Sequence, residues 1–346
     1  MSGETSFPSR IRQDATRFAR ARLLAIILFA AQFWAAVAAA ATWELLSPFT
    51  PNSFEVRNLE QFANEVDQAT AGGLHMVVLA DPARFGSREI KQAVSAGRAP
   101  VGELLLSDLR EVDAAFEVDA VPFLASTYDD ALRLWDASRP VLEPLLEAQG
   151  LHIVFVVALP PRGLFVDKQI WKLEDLQGLH LLDDGPLTGR FAILAGAVPT
   201  PRPPGSLAMA FESGEIDAAI ASLPDGAAQQ AWTFVQNYYD LRVALPKSVV
   251  VFDKNAYRSL DPEIQRAVLN AAISGQNRGW QASAAENNTT MDLLRTRGMT
   301  IAAPEPQVVT GLRDIGDTMT EEWARRTGPD SRRILQAYQG RSAGGR

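Results

Sequence analysis

Apolar positions along the chain alternate between two periods. Residues 43–47 form a short apolar run that ends in a turn at 48–52, and from Phe54 the residues Phe54, Leu59, Phe62, Val66 and Ala69 fall at helical spacing until Gly72 and Gly73 stop them. Residues 74–79 are apolar and rich in β-branched side chains, the composition of a strand. A second helical pattern covers 88–96 and ends at Gly97, and 100–106 returns to a strand. Strand, helix, strand, helix in this order predicts an α/β fold with a mostly parallel sheet.

Further on, 128–149 reads as a helix interrupted at Pro140 and Pro144, and Gly150 closes it before an apolar run at 153–158 that suits a fully buried strand. Asp261 followed by Pro262 is a helix start, a capping carboxylate with proline at the first helical position. The pattern then continues through Ile264, Val268, Ala271, Ala272 and Trp280 to Arg295, Arg297 and Gly298. A helix of that length would run about 50 Å, more than one domain's width, and is expected to brace two domains. A last helix is expected at 308–326, ahead of a disordered tail from Gly340.

With 346 residues the chain is long enough for two domains. A net charge of -8 argues against a nucleic-acid partner, whose phosphates require a basic surface. The absence of cysteine excludes disulfides and thiolate metal sites. Residues 1–41 have the build of an export signal: Arg17, Arg20 and Arg22 precede an apolar stretch at 23–37 and then a run of alanines that offers cleavage near Ala41 or Thr42. Retention as an anchor is the alternative, because 23–41 is close to the roughly 20 residues that span a bilayer.

The usual catalytic signatures, GxSxG, the P-loop, GxGxxG and HExxH, do not occur. His75 and His152 lie in strand-like runs and are expected to be structural. Asp183 and Asp184 are adjacent, so in a strand they face opposite sides, and a turn before Gly185 suits them better than an acid pair.

Two stretches carry a family resemblance. KLEDLQGLHLL at 172–182 resembles the "peDLkGlkiR" signature of the substrate-binding proteins of tripartite ATP-independent periplasmic (TRAP) transporters, of DctP type. AMAFESGEIDAAIAS at 208–222 resembles the same family's "v..AL..G.vDg" segment, and the likeness extends over 43–338. It implies a two-domain, periplasmic-binding-protein-like α/β fold with a ligand cleft and a long helix spanning both domains. The expected division is 1–41 signal peptide, 42–158 mainly the first domain, 159–255 mainly the second, 256–340 the spanning helix and C-terminal helices, and 341–346 tail. The function implied is periplasmic capture of a small organic solute, expected to be a carboxylate, for delivery to TRAP membrane permease subunits, with no cofactor and no catalysis. An exported enzyme or a ligand-presenting sensory protein on the same scaffold are the rivals.

Members resemble one another in holding the ligand carboxylate with two arginines, whose planar forks donate paired hydrogen bonds. The principal position falls here on Leu182 and the second on Arg162. Three substitutes for the missing guanidinium are open: Arg162 alone, Arg190 reaching in from the next helix, or a ligand without the usual carboxylate. Ser222, at the end of the "vDg" strand, matches a position where a polar side chain faces ligand. Trp232 could stack on ligand, and Asp253 could favour an ammonium group or a cation if it faces the cleft. Asn52 and Glu103 are the candidates from the first domain.

Overall fold

The computed structural model describes residues 41–203 and 205–343. The export-signal expectation therefore falls, but for Ala41, outside the described residues, as do 344–346. The elements begin with β1 (Ala41–Ser47), α1 (Phe54–Ala69), β2 (Leu74–Ala80), α2 (Ser87–Ser95), β3 (Val101–Leu105), α3 (Tyr128–Ala148) and β4 (Leu151–Ala158). There follow β5 (Arg162–Val166), β6 (His180–Asp183), α4 (Pro186–Leu194), β7 (Val198–Pro201), α5 (Leu207–Glu212), β8 (Ala218–Ser222) and α6 (Leu223–Ala228). The chain ends with β9 (Asn237–Ala244), β10 (Lys247–Asp253), α7 (Lys254–Ser259), α8 (Pro262–Thr296), β11 (Thr300–Ala302), α9 (Pro306–Thr327) and α10 (Pro329–Ala343).

These strands make two sheets, ordered β2-β1-β3-β10-β4 and β11-β9-β5-β8-β6-β7. Each is mostly parallel and holds one antiparallel strand inside it: β10 runs against β3 and β4, and β5 against β8 and β9. Those two strands follow two of the three places where the chain changes sheet, at 159–161 and at 245–246; the third is α8 itself, which carries the chain from β10 to β11. The second change returns β10 to the first sheet, within the stretch expected to be mainly second-domain.

Alternation along the strands sorts the cores. In the first sheet Leu46, Leu104, Val249 and Val251 pack toward α3, while Leu45, Val101, Val250 and Phe252 pack toward α1 and α8. The second sheet sets Leu164, Val166, Ile220 and Leu181 against α4 and α9, and Phe165, Ala221 and Tyr238 against the far half of α8. The long helix thus touches both layers. Asn58 of α1 donates to the Gly275 carbonyl at 3.0 Å, Arg278 bonds Asn58 and Glu65, and Leu294 packs with Phe165 and Tyr238. Gly279 permits the close approach, since a Cβ there would lie 2.5 Å from Val157 Cγ2.

Three expectations need correction. Helix α3 runs unbroken through Pro140 and Pro144, because both lie on its exposed side, where water can serve the carbonyls they leave free, while Leu134, Leu142 and Leu146 hold the buried face. Asp261 does occupy the cap of α8, yet its carboxylate makes no capping hydrogen bond. The C-terminal segment is a helix, α10, as far as Ala343, anchored through Ser331, whose hydroxyl donates to the Ala324 and Gly328 carbonyls.

Candidate functional site

The two crossings fix which end of each sheet faces the other. In the first sheet it is the end where Ser47 pairs with Ala80, Ser248 with Leu105 and Lys247 with Ala158. In the second it is the end where Arg162 pairs with Ser222 and Ala244, next to Asp183 at the close of β6. Ligands of open α/β sheets bind beyond the carboxyl ends of the strands, and here both sets converge on one cleft.

On the second-sheet wall, Arg162 stands at the first residue of β5 with its side chain 25% exposed. Its Nη2 donates to Asp184 Oδ2 at 2.5 Å and to the Ile220 carbonyl. Thr188 steadies the acid from the other side, its hydroxyl donating to Asp184 Oδ1 at 2.7 Å. Both edges of a guanidinium fork include Nη2, so a carboxylate gripping two N–H groups must take one of them from Asp184 or Ile220. Nη1 and Nε make no hydrogen bond among the described residues. A shallow depression of about 560 Å³, lined by Asp183, Asp184, Gly185, Pro201, Arg202 and Pro203, opens beside the pair.

Leu182 sits in the same strand end but is a core residue, 6% exposed and packed with Leu207, Ala210, Ile216 and Ala219. Its pleat parity turns it toward α5, so a leucine there is the apolar choice for an apolar site. Ser222 also stands at the cleft end, where its hydroxyl is engaged as the cap of α6, donating to Asp225 Oδ2 at 2.6 Å and accepting from the Asp225 amide at 3.2 Å.

The first-sheet wall is acidic. Glu103 is buried, its Oε2 accepting from Ser47 at 2.9 Å and its Oε1 from Ser248 at 2.7 Å. Burial pushes this carboxyl up to about 7 against the pull of the two serines. Glu55, in the first turn of α1 and 8% exposed, is pushed higher, to about 8. Desolvation is the main cause. Its backbone amide and the Ser53 hydroxyl oppose it, and the charges of Glu103 and of Asp225 across the cleft add to it. Asn52 lies on the loop just before, with a left-handed φ of 68° that asparagine tolerates, and its carbonyl accepts from Arg57.

The remaining candidates stand away from this centre. Asp253 is at the opposite end of the first sheet, because β10 runs antiparallel to β3. It pairs with Leu151 and caps α7, its Oδ1 accepting from the Ala256 amide at 2.6 Å. Arg190 forms a two-point ion pair with Glu322 of α9, at 2.9 Å and 2.5 Å, which fastens α4 to α9 and holds the Glu322 carboxyl below its ordinary range. Trp232 lies half-buried in a turn against the C-terminal end of α8, with the Arg297 guanidinium 5.1 Å above its ring. His75 meets Asp67, and His152 stacks on Tyr257 and meets Glu147, all structural contacts.

Sequence reasoning missed Glu55, Asp225 and Arg242. Arg242 lies near the second crossing with a left-handed φ of 51° and its Nε 3.2 Å from Asp240. Glu55 did leave a signal. It stands four residues before Leu59 and seven before Phe62, a carboxylate on the apolar stripe of its helix.

Residues 47–326 match the family described as bacterial extracellular solute-binding protein, family 7. Among solved structures, the extracytoplasmic solute receptor DctP7 of Bordetella pertussis, which binds pyroglutamic acid, is 36% identical, with a TM-score of 0.80 over 87% of this chain and 100% of that one. DctP6 of the same organism, also binding pyroglutamic acid, is 32% identical with a TM-score of 0.81 over the same shares. A marine metagenome TRAP solute-binding protein specific for pyroglutamate is 26% identical, with a TM-score of 0.79 over 87% of this chain and 99% of that one.

Proposed function

Because the chain belongs to the bacterial extracellular solute-binding proteins of family 7, the solute receptors of TRAP transporters, we propose that its cleft captures a small cyclic monocarboxylate of the pyroglutamate type. The bound acid is handed to the TRAP membrane permease. The protein acts outside the cytoplasm, delivered there by the segment at 1–41, and works by binding alone, without chemistry on the solute.

The observation that carries the reading is the state of Arg162. It stands at the facing end of the second sheet with Nη1 and Nε uncommitted and a carbonyl and a carboxylate fixing the rest of the fork. A ligand carboxylate accepts from Nη1 directly, or from two N–H groups once Asp184 gives way. A ligand that closes the two walls on each other gains from both, the hinge closure general to two-lobed receptors. Leu182 removes the family's principal guanidinium from the grip, and the charge of Asp225 disfavours a second negative group on the solute. A monocarboxylate fits this balance better than a dicarboxylate.

Isothermal titration of the purified protein with L-pyroglutamate, succinate, D-glucuronate and L-proline tests it. The expected result is tight binding of pyroglutamate, at least about tenfold weaker binding of succinate, and a loss of about 1.5–3 kcal/mol in Arg162→Ala, the worth of a charged hydrogen bond. Preference for the dicarboxylate, or affinity indifferent to Arg162, would overturn it.

A further inference from the structure

Glu55 is a carboxyl in an improbable place. It extends from the loop that leaves the carboxyl end of β1, lies in the first turn of α1 among Phe54, Val56, Leu59 and Phe62, and is 8% exposed. Its neighbours set its state. Glu103, on β3, and Asp225, on α6 of the second-sheet wall, both lie within electrostatic range of this carboxyl. Its one side-chain partner is the Ser53 hydroxyl of its own cap. The nearest cation along the chain, Arg57, is turned to Glu286 of α8 and to the Asn52 carbonyl. Among the described residues Glu55 has no ion-pair partner. An ionised carboxylate buried among apolar groups and two acids is costly, and nothing in the helix requires it. Such a group is kept neutral, and a neutral carboxyl offers an O–H donor beside a C=O acceptor.

Resting on the pyroglutamate-type reading above, we propose that Glu55, in its neutral form, is the specificity-determining group of the cleft and recognises a cis-amide in the ligand ring. Its O–H donates to the ring carbonyl and its C=O accepts from the adjoining ring N–H, while the ligand carboxylate lies toward Arg162 on the opposite wall. The pair is the same eight-membered double hydrogen bond that a carboxylic acid makes with an amide. It selects a lactam over a lactone, which lacks the N–H, and over an unsubstituted ring, which lacks both groups. A site built to satisfy a donor and an acceptor rejects analogues missing either one, because its own polar groups are then left unpaired. An ammonium ligand such as proline would instead require Glu55 ionised.

The test is titration calorimetry between pH 6 and 9.5 with L-pyroglutamate, 5-oxotetrahydrofuran-2-carboxylate and L-proline, on the wild-type protein and on Glu55→Ala and Glu55→Gln, each first checked for its thermal transition. The expected order is pyroglutamate over lactone by about tenfold or more. Glu55→Ala loses a similar factor, and Glu55→Gln, whose amide reproduces the neutral donor and acceptor, recovers most of it. Wild-type affinity falls as pH passes about 8 and that of Glu55→Gln does not. Glu103 titrates in both proteins, so the difference between their profiles isolates Glu55. Should Glu55→Ala not fold, the Glu55→Gln profile decides alone. Pyroglutamate binding that is unchanged in both variants and parallel in pH, or a wild-type preference for proline, overturns the role of Glu55 and leaves the Arg162 reading standing. Failure of the wild-type protein to bind pyroglutamate overturns both.

Discussion

Single residues in this cleft hold charge in opposite conditions. Arg162 is paired and partly solvated, whereas Glu55 and Glu103 are buried acids pushed up to about 8 and about 7 by desolvation. Their ordinary value is 4.5, so between pH 4.5 and about 8 the folded chain holds more protons than the unfolded one. Stability from these two groups is therefore fully present below pH 4.5 and falls as pH rises through 7 and 8. A double variant, Glu55→Gln with Glu103→Gln, is expected to lose less of its melting temperature between pH 5 and 9 than wild type does. Parallel curves from differential scanning calorimetry would contradict the burial argument. At Asp184, the geometry predicts competition: Asp184→Asn releases Nη2 of Arg162 and should tighten carboxylate binding by roughly tenfold, about 1.4 kcal/mol. Weaker binding in that variant would mean that the acid orients the guanidinium instead of restraining it. Leu182 is testable in the other direction. Leu182→Arg, which restores the side chain expected of the family, places a charge at a 6% exposed core position and should cost about 2–4 kcal/mol of stability without gaining affinity.

Elements were legible in the sequence where a local rule governs them. The span of α1 followed from Phe54, Leu59, Phe62 and Val66, and that of α8 from Pro262 at its start and Gly298 after its end. Failures came where the deciding fact lies elsewhere in the fold. Pro140 and Pro144 read as breaks, yet their exposure in α3 depends on which face of that helix the first sheet covers. Asp253 is a ligand candidate only if it faces the cleft, which its position in the family pattern does not decide. The direction of β10, set by pairing with β3, sends that end away. Arg162 and Ser222 follow from the family resemblance, but their partners, Asp184 and Asp225, come from tertiary geometry and capping. Helix α8 offers the clearest packing test. Gly279→Ala raises helix propensity by about 1 kcal/mol, but the added Cβ would meet Val157 at 2.5 Å and Asn58 at 2.8 Å. A net loss of about 1–3 kcal/mol in denaturant unfolding is expected. A gain would show that the helix does not press on β4 as described.

At the scale of the molecule, two sheets joined by two crossings and by the long helix α8 place the Arg162–Asp184 pair on one wall and the buried acids Glu55 and Glu103 on the other. The arrangement suits a solute with a carboxylate at one end and hydrogen-bonding, uncharged groups at the other. Closure should make the protein more compact when ligand is present, and small-angle scattering with and without pyroglutamate would register it as a smaller radius of gyration. An unchanged radius on saturation would mean the cleft is already closed. The central claim, that Arg162 anchors a small cyclic monocarboxylate in this cleft, is tested most directly by titrating L-pyroglutamate into the wild-type protein and Arg162→Ala under identical conditions. The account predicts saturable one-to-one binding by the first and affinity at least about tenfold weaker in the second, with both proteins folded. Equal affinities, or no binding by the wild-type protein, would contradict it.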